Sequence, residues 1–237
     1  MLVFHNIPFG GGDEVSCRRC AAGGVSAPLA MAALMRHIDA VLGAAPRVGV
    51  FFSDVGPLDH PDLPCLVDYA ARAGASRIAL RTSGRSLTDS AAAVSLLRGG
   101  VRIVEVTFLG SCAEAHDPLA GTPGAFKAAA TGVGNLLDAA ETLGVRVAVR
   151  GRVRVCRHNL QDLPATVMRL AEMGVSSILL ACDSALDSRR SGDWVAAGCD
   201  TGTVNRVWVA VSGMDRDALG DKALHAFDAI TISGVDG

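Results

Sequence analysis

The chain has 237 residues, of which 50% are hydrophobic and 19% are charged, and its formal net charge at pH 7 is −2. This composition suits one domain with a well-filled core, and the balanced charge gives no general attraction for nucleic acid or anionic membranes. No apolar run reaches the ~18 residues of a membrane-spanning helix, so we expect a soluble, cytoplasmic protein without nucleic-acid or membrane partners.

Eight short apolar runs rich in β-branched residues predict the strands of the fold. They are Leu2–Ile7, Val48–Ser53, Ile78–Thr82, Val101–Leu109, Val145–Val155, Ser177–Cys182, Val207–Ser212 and Ile230–Ser233. Amphipathic helical patterns lie between them, and four of the helices are predicted to end at a glycine, namely Gly74, Gly100, Gly144 and Gly174. The βα unit therefore repeats along the chain, at a period of roughly 30 residues.

The predicted strands are apolar on both sides, which is typical of a parallel sheet covered by helices. The fold class is therefore α/β, and both a (β/α) barrel and an open doubly wound sheet satisfy the pattern. In a dinucleotide-binding fold the first glycine-rich turn leads directly into a helix, whereas Phe9–Gly12 leads into a pair of cysteines.

The seven cysteines are scattered and odd in number, which does not suit a disulfide framework. We expect most of them to be reduced, buried small residues. Only Cys17 and Cys20 have an informative spacing, Cys-x-x-Cys in a glycine-rich loop. That spacing is consistent with two free thiols, half of a zinc site, a redox pair or part of a metal cluster.

The segment from Val48 to Leu87 carries three motifs: Asp54-Val55-Gly56-Pro57 after one strand, His60-Pro61-Asp62-Leu63 before a helix, and Thr82-Ser83-Gly84 with Leu87 after the next strand. The layout resembles the S-adenosylmethionine-binding half of the radical SAM enzymes, with their Gly-Gly-Glu-Pro, His-Pro-Asp-Leu and Thr-Asn-Gly-x-x-Leu motifs. The first motif here keeps the proline but lacks the first glycine and the glutamate. The resemblance implies cofactor contacts at Asp54, Gly56, Pro57, Thr82, Ser83 and Gly84.

Two later segments resemble the peptide-modifying members of the same family: His116–Phe126, and Asn159 followed by Asp162-Leu163. The resemblance implies a further cofactor contact at Asn159. The resemblance covers about Ile7 to Asp183 and implies a (β/α)6 barrel, partial or full, with a parallel sheet. We therefore expect a single domain over residues 1–237, with the core at about 1–183 and a C-terminal βα extension at 184–237. With only Cys182 and Cys199 in the last third, no further cluster domain is expected.

The resemblance also implies a [4Fe–4S] cluster bound by Cys-x3-Cys-x2-Cys. The corresponding positions here are Asp13, Cys17 and Cys20, so that a carboxylate replaces the first thiolate. A carboxylate oxygen is a harder ligand than a thiolate, and we expect such a cluster to be labile and shifted in potential.

Charged residues within the predicted strands are the catalytic candidates. Glu105 lies between valines, so it must face a polar cavity, as a cofactor-ribose or substrate contact, or pair with an arginine. Even spacing places Arg146, Arg150, Arg152 and Arg154 on one side of the fifth strand. They form either a solvated sheet edge or a cationic cavity wall that binds a carboxylate-bearing ligand or acidic peptide, with Arg150 the catalytic candidate.

Two functions remain. The first is a radical SAM enzyme with a variant cluster, acting on a peptide or a small metabolite by hydrogen-atom abstraction. The second is a cluster-free, catalytically silent homologue that binds a peptide, a metabolite, a partner enzyme or a second copy of the chain. Defects in two cofactor motifs favour relaxed cofactor binding. A metal-dependent hydrolase or isomerase using His60, His116, Asp117 and His158 has no motif with fixed ligand spacing.

Overall fold

The computed structural model of the chain describes residues 3–8, 29–44, 47–53, 60, 62–156, 158–182, 208–212 and 230–233. The described residues up to Val106, with Ala128–Val149, form a first compact unit, and those of Thr107–Lys127 and from Arg150 onwards form a second. The prediction of a single domain over the whole chain stays a prediction. In the part of the chain that is described, no helix has both the length and the apolar character needed to cross a membrane.

The strands of the first unit are β1 (Val3–Pro8), β2 (Val48–Ser53), β3 (Arg77–Thr82) and β4 (Val101–Phe108), whose last two residues belong to the second unit. Neighbours in this order pair in parallel, β1 with β2, β2 with β3 and β3 with β4. The helices of this unit are α1 (Met31–Ala44), α2 (Leu63–Arg72), α3 (Ser90–Arg98) and, from Ala128, α5 (Ala125–Leu143).

The two sides of the first unit's strands differ in character. One side is fully buried and aliphatic or aromatic, with Ile7, Val50, Phe52, Leu80 and Val104 at 0% exposure. The helices contribute buried side chains of the same kind, namely Leu34, Ile38, Leu66, Leu97 and Leu136. Because side chains alternate along a strand, the intervening residues lie on the opposite side. That opposite side carries Asn6, Arg81 and Glu105.

The second unit contains the strands β5 (Ala148–Val155, from Arg150), β6 (Ser177–Cys182), β7 (Trp208–Ser212) and β8 (Ile230–Ser233). They also pair in parallel and in chain order. Its helices are α4 (Ala113–Ala120) and α6 (Leu163–Glu172). A Cβ atom added to Gly151 of β5 would lie 2.8 Å from Leu170 of α6, so this side of β5 packs directly on that helix.

The α/β class and the parallel pairing of strands are confirmed, and every predicted strand is present. The four predicted helix-terminal glycines have positive φ angles of 98°, 104°, 62° and 82° for Gly74, Gly100, Gly144 and Gly174. Some boundaries differ by one residue, and the largest error is in β5, which begins at Ala148 and not at Val145. The reason is that the backbone N–H of Val145 bonds Ala140 O to close α5, so the chain is still leaving the helix there.

The described cysteines only partly match the expectation of buried thiols. Cys156 is buried, Cys112 is half-buried and Cys65 is exposed, and all three are free. Burial is therefore shown for one of these three residues.

Candidate functional site

The first unit holds one charged pair on the polar side of its strands. Arg81 of β3 and Glu105 of β4 are register partners, and the Arg81 Nε atom donates a hydrogen bond to Glu105 Oε1 at 2.6 Å. The side chains are 23% and 4% exposed, respectively. A carboxylate at this depth needs a compensating charge, and its strand neighbour provides one. The ion-pair alternative for Glu105 is therefore observed, and its cofactor or catalytic role stays a prediction.

Phe51 and Asn6 are among the uncharged residues that share this side with the ion pair. The Arg81 guanidinium lies over the ring of Phe51, 5.1 Å from its centroid, which adds a cation–π interaction. Asn6 of β1 is in register with Phe51 and is exposed. We call Asn6, Phe51, Arg81 and Glu105 the polar face of the first unit. It combines a carboxylate, a guanidinium, an amide and an aromatic ring on four neighbouring strands.

The turn after β3 is built by its own side chains. Thr82 Oγ1 accepts a hydrogen bond from the Gly84 N–H at 3.0 Å, and Ser83 Oγ accepts one from the Arg85 N–H at 3.4 Å. Gly84 has φ 84°, and a Cβ atom there would lie 2.8 Å from Ala129 Cα of α5. Leu87 is fully buried. The Thr-Ser-Gly-x-x-Leu pattern thus forms a tight turn against α5, and the predicted cofactor contacts of Thr82, Ser83 and Gly84 stay predictions.

His60 shapes the start of the helix that follows it. Its Nδ1 atom accepts a hydrogen bond from the backbone N–H of Asp62, at 3.2 Å, immediately before α2. The imidazole thereby takes up a backbone donor that the first turn of the helix leaves without an internal partner.

In the second unit, the side chain of Asn159 forms hydrogen bonds with the backbone at the ends of two strands. Its Nδ2 group donates to Leu109 O at 3.0 Å and to Arg154 O at 2.8 Å, and its Oδ1 atom accepts from the Cys156 N–H at 2.8 Å. The side chain is 2% exposed. Both ends of the amide are therefore used to join the segments that follow β4 and β5. The predicted cofactor contact of Asn159 stays a prediction.

Asp162 completes the same motif. Its carboxylate accepts hydrogen bonds from the Ser111 N–H at 2.7 Å, the Ser111 hydroxyl at 2.6 Å and the Thr166 hydroxyl at 3.0 Å. Asp162 immediately precedes α6, so one carboxylate holds both the loop after β4 and the first turn of that helix. The side chains of the Asn-x-x-Asp-Leu pattern thus hold neighbouring segments of the second unit together by hydrogen bonds.

The His116–Phe126 motif also has a structural role. His116 is 1% exposed, and its Nδ1 atom accepts a hydrogen bond from the Leu109 N–H at 3.1 Å. Its ring makes edge contacts with those of Phe108 and Phe126. Burial lowers the pKa of His116 to about 4, against a small opposing effect of Asp117, so the imidazole is neutral at pH 7.

Asp117 caps the helix that follows. Its two carboxylate oxygens accept hydrogen bonds from the Gly124 N–H at 2.7 Å and the Phe126 N–H at 2.8 Å, where α5 begins. Negative charge at a helix N-terminus is also favoured by the helix dipole. The side chains of His116 and Asp117 therefore have backbone partners, and in the described residues no group of three or more His, Cys, Asp or Glu side chains is placed to bind a metal.

The arginines of β5 partly match the expectation. Arg150, Arg152 and Arg154 alternate with the buried residues Gly151, Val153 and Val155, so they share one side of the strand. That side is opposite to the one that packs on α6. We call these three residues the arginine row. Arg150 is exposed and the other two are half-buried. Arg146 lies outside the strand and is exposed, so its inclusion was wrong.

Six predicted site residues lie outside the described residues. They are the cluster candidates Asp13, Cys17 and Cys20 and the turn residues Asp54, Gly56 and Pro57. Sequence analysis missed Arg81 and Phe51 as members of the polar face. A signal was present, since Arg81 and Glu105 are opposite charges next to apolar residues in consecutive predicted strands.

No protein-family model matches the chain. The AdoMet-dependent heme synthase of Oleidesulfovibrio alaskensis (strain ATCC BAA-1058 / DSM 17464 / G20) is 28% identical over 123 residues, which are 51% of this chain and 31% of that protein. The match thus spans about a third of the length of the heme synthase. A match of this length does not show that this chain has the activity of the whole heme synthase.

Two proteins of known structure have a similar fold. SuiB of Streptococcus suis, bound to its precursor peptide SuiA, has a TM-score of 0.63 and 11% identity, covering 88% of this chain and 48% of SuiB. SuiB has also been solved with S-adenosylmethionine. Methylornithine synthase (PylB) has a TM-score of 0.62 and 12% identity, covering 98% of this chain and 71% of PylB. These structural similarities confirm the predicted fold class.

Proposed function

We propose that the protein is a radical SAM-type enzyme that binds S-adenosylmethionine at the polar face of the first unit and modifies a peptide or a small metabolite. The observation that carries the proposal is the Arg81–Glu105 pair beside Phe51, on the side of the strands opposite to the aliphatic core. The sequence similarity to an AdoMet-dependent heme synthase and the fold shared with SuiB, which was solved with S-adenosylmethionine, support the choice of ligand.

The chemistry of the polar face fits this ligand. S-adenosylmethionine carries an ammonium, a carboxylate, a sulfonium cation, ribose hydroxyls and an adenine ring. Glu105 can accept from hydroxyl or ammonium groups, Arg81 can donate to a carboxylate, and Phe51 can stack on an aromatic base. Arg81 is 23% exposed, so its guanidinium is accessible from the polar side.

Asp13, Cys17 and Cys20 are the proposed ligands of a variant [4Fe–4S] cluster. When bound, such a cluster supplies the electron that starts the radical chemistry of S-adenosylmethionine. Two thiolates and one carboxylate can neutralise part of the cluster charge, and the oxygen ligand makes the site weaker than one with three thiolates. We expect the cluster to form only under anaerobic conditions with added iron and sulfide.

Iron content tests the cluster. Protein reconstituted anaerobically should bind more iron than a Cys17→Ala/Cys20→Ala variant treated identically and should absorb broadly near ~400 nm. Equal iron in the two proteins would contradict the cluster and would favour the cluster-free homologue.

The substrate class is a separate part of the proposal. SuiB was solved with a precursor peptide, which supports a peptide substrate for a chain of similar fold. Methylornithine synthase is named for a small amino acid, so a small metabolite is equally compatible with the fold.

Calorimetry with S-adenosylmethionine tests the polar face. We expect wild-type protein to bind and Glu105→Gln to lose about tenfold in affinity, because an amide is a weaker acceptor than a carboxylate. Phe51→Leu should also weaken binding while leaving the ion pair in place. The matched control is Glu141→Gln, an exposed residue of α5 in the same unit. Absence of binding to wild-type protein at millimolar ligand, or equal affinity of Glu105→Gln and Glu141→Gln, would contradict the site.

A further inference from the structure

Helices α1 and α2 of the first unit form a groove with a volume of about 550 Å³. Its walls come from these two helices and the C-terminal cap of α2. The residues that line it are Met31, Met35, Cys65, Asp68, Tyr69, Arg72 and Ala73. None of them belongs to the polar face, which lies on the strands. The groove is therefore separate from the proposed site for S-adenosylmethionine, and three of its side chains carry sulfur.

A hydrogen bond between the two helices fixes how they are aligned. The Tyr69 hydroxyl of α2 donates to Asp39 Oδ1 of α1 at 2.7 Å. Each helix connects one parallel strand to the next, so the two helices run in the same direction. One turn before this contact, four residues earlier in each helix, α1 carries Met35 and α2 carries Cys65. The alignment therefore places Met35 and Cys65 at the same level of the groove.

Met31 adds a second thioether to this arrangement. It lies one further turn back along α1, on the same face of the helix as Met35. Both methionines are half-buried, and Cys65 is an exposed, free thiol. A methionine side chain has three rotatable bonds, so the position of its sulfur atom adapts to a ligand. Two thioethers from one wall and a thiol from the other can therefore reach a single ion.

We propose that Met31, Met35 and Cys65 bind a soft monovalent metal ion, copper(I). Thiolate and thioether ligands suit copper(I), whereas magnesium and calcium prefer the oxygens of carboxylates, carbonyls and water. The thiol of Cys65 releases its proton to solvent when the metal–sulfur bond forms. The resulting thiolate balances the single charge of the ion, and the two thioethers add ligands without adding charge.

The polar side chains around the groove are engaged with one another. Arg72 forms an ion pair with Asp68, one turn earlier in α2. Asp39 accepts the hydroxyl of Tyr69, and this hydrogen bond raises the pKa of Tyr69, so the phenol stays protonated at pH 7. Both carboxylates thus have protein partners, and the soft ligands that the groove offers are its sulfur atoms.

Nuclear magnetic resonance of protein labelled with ¹³C at the methionine methyl groups tests the site, with silver(I) as a redox-inert probe for copper(I). The chain has six methionines, and single substitutions by leucine assign their signals. Both Cys17 and Cys20 are replaced by alanine throughout, because these proposed cluster ligands would also bind silver. We expect the signals of Met31 and Met35 to shift together, at a silver concentration about tenfold lower than that for Met168, a half-buried residue of α6.

Two further variants separate this groove from the other thiols of the chain. Cys65→Ser should raise the silver concentration that shifts the signals of Met31 and Met35 by about tenfold, because a hydroxyl is a harder ligand than a thiolate. The matched control is Cys112→Ser, a half-buried thiol of the second unit, which should change that concentration less than about twofold. Circular dichroism checks that both variants are folded.

Three results would overturn the inference. One is that the signals of Met31 and Met35 do not shift at up to millimolar silver, or shift only together with that of Met168. Another is that Cys65→Ser and Cys112→Ser have the same effect. The third is an equal response of these methyl signals to magnesium, which would assign cation binding in the groove to its carboxylates.

Discussion

The polar face of the first unit and the arginine row of the second use mid-strand charges in different ways. Arg81 has a carboxylate as its register partner, and the two side chains form a short ion pair. The register partner of Arg150 on β6 is Ser177, and Arg150 is exposed. We infer that a carboxylate at the register position holds Arg81 on the sheet, whereas the serine at the β6 position beside Arg150 offers no charge to hold it.

The largest effect is expected from breaking the ion pair. Glu105→Ala leaves the Arg81 guanidinium without its carboxylate on a largely buried face, and we expect a loss of about 3 kcal/mol in the free energy of unfolding. Urea denaturation monitored by circular dichroism measures it. Glu105→Gln keeps the shape and a neutral acceptor, so it should cost less than Glu105→Ala. Equal stability of Glu105→Ala and wild type would mean that the pair is not a structural element.

The buried ion pair of the first unit is charged, whereas the buried His116 of the second unit is neutral at pH 7. The dependence of stability on pH tests the neutral state of His116. The pKa of His116 is about 4 in the folded protein, against an ordinary value near 6.5 when unfolded. The unfolded state therefore binds an extra proton between these values. His116 favours folding fully above pH ~6.5, and this contribution falls as the pH drops towards 4, by up to about 3 kcal/mol.

A non-titrating variant isolates that contribution. In His116→Asn the side-chain oxygen can accept the Leu109 N–H in place of the ring nitrogen. Urea unfolding of both proteins at pH 7.5, 6, 5 and 4.5 should show a smaller acid-induced loss of stability for the variant. Parallel pH profiles would contradict the low pKa of His116.

The turn beside the polar face offers a comparison of two glycines. Gly84→Ala should destabilise the protein by about 2–3 kcal/mol, since it adds a contact at 2.8 Å with Ala129 Cα to the cost of a positive φ angle. The control is Gly74→Ala, at φ 98° with no atom within 4 Å of the added Cβ, and we expect about 1 kcal/mol there. Thermal unfolding of the two variants gives the difference, and equal losses would mean that α5 moves aside at no cost.

Much of the fold could be predicted because its signals are local. Each strand is a short β-branched apolar run, and four helices end at glycines that do adopt positive φ angles. The start of β5 was missed because the same closing turn that Gly144 allows extends to Val145. An apolar residue at position 145 is compatible with the end of a helix as well as with the start of a strand.

The site was harder to predict because its contacts are not local. Pairing Glu105 with Arg81 requires the register of β3 and β4, which periodicity alone does not give. The sequence analysis singled out the motifs around His116, Asp117 and Asn159, and in the structure their side chains bond backbone groups. A sequence pattern does not distinguish a residue that contacts a ligand from one that holds the loop beside it.

The smallest effect on stability is expected in the arginine row. Arg150→Ala removes an exposed side chain, so the free energy of unfolding should change by less than about 0.5 kcal/mol, in contrast to the loss expected for Glu105→Ala. Urea denaturation at low and at high salt measures it. If like charges in the row repel one another, the variant should gain slightly in stability at low salt, and the gain should vanish at high salt. A loss above 1 kcal/mol would mean that Arg150 is held by the sheet as Arg81 is, and the distinction between the two regions would disappear.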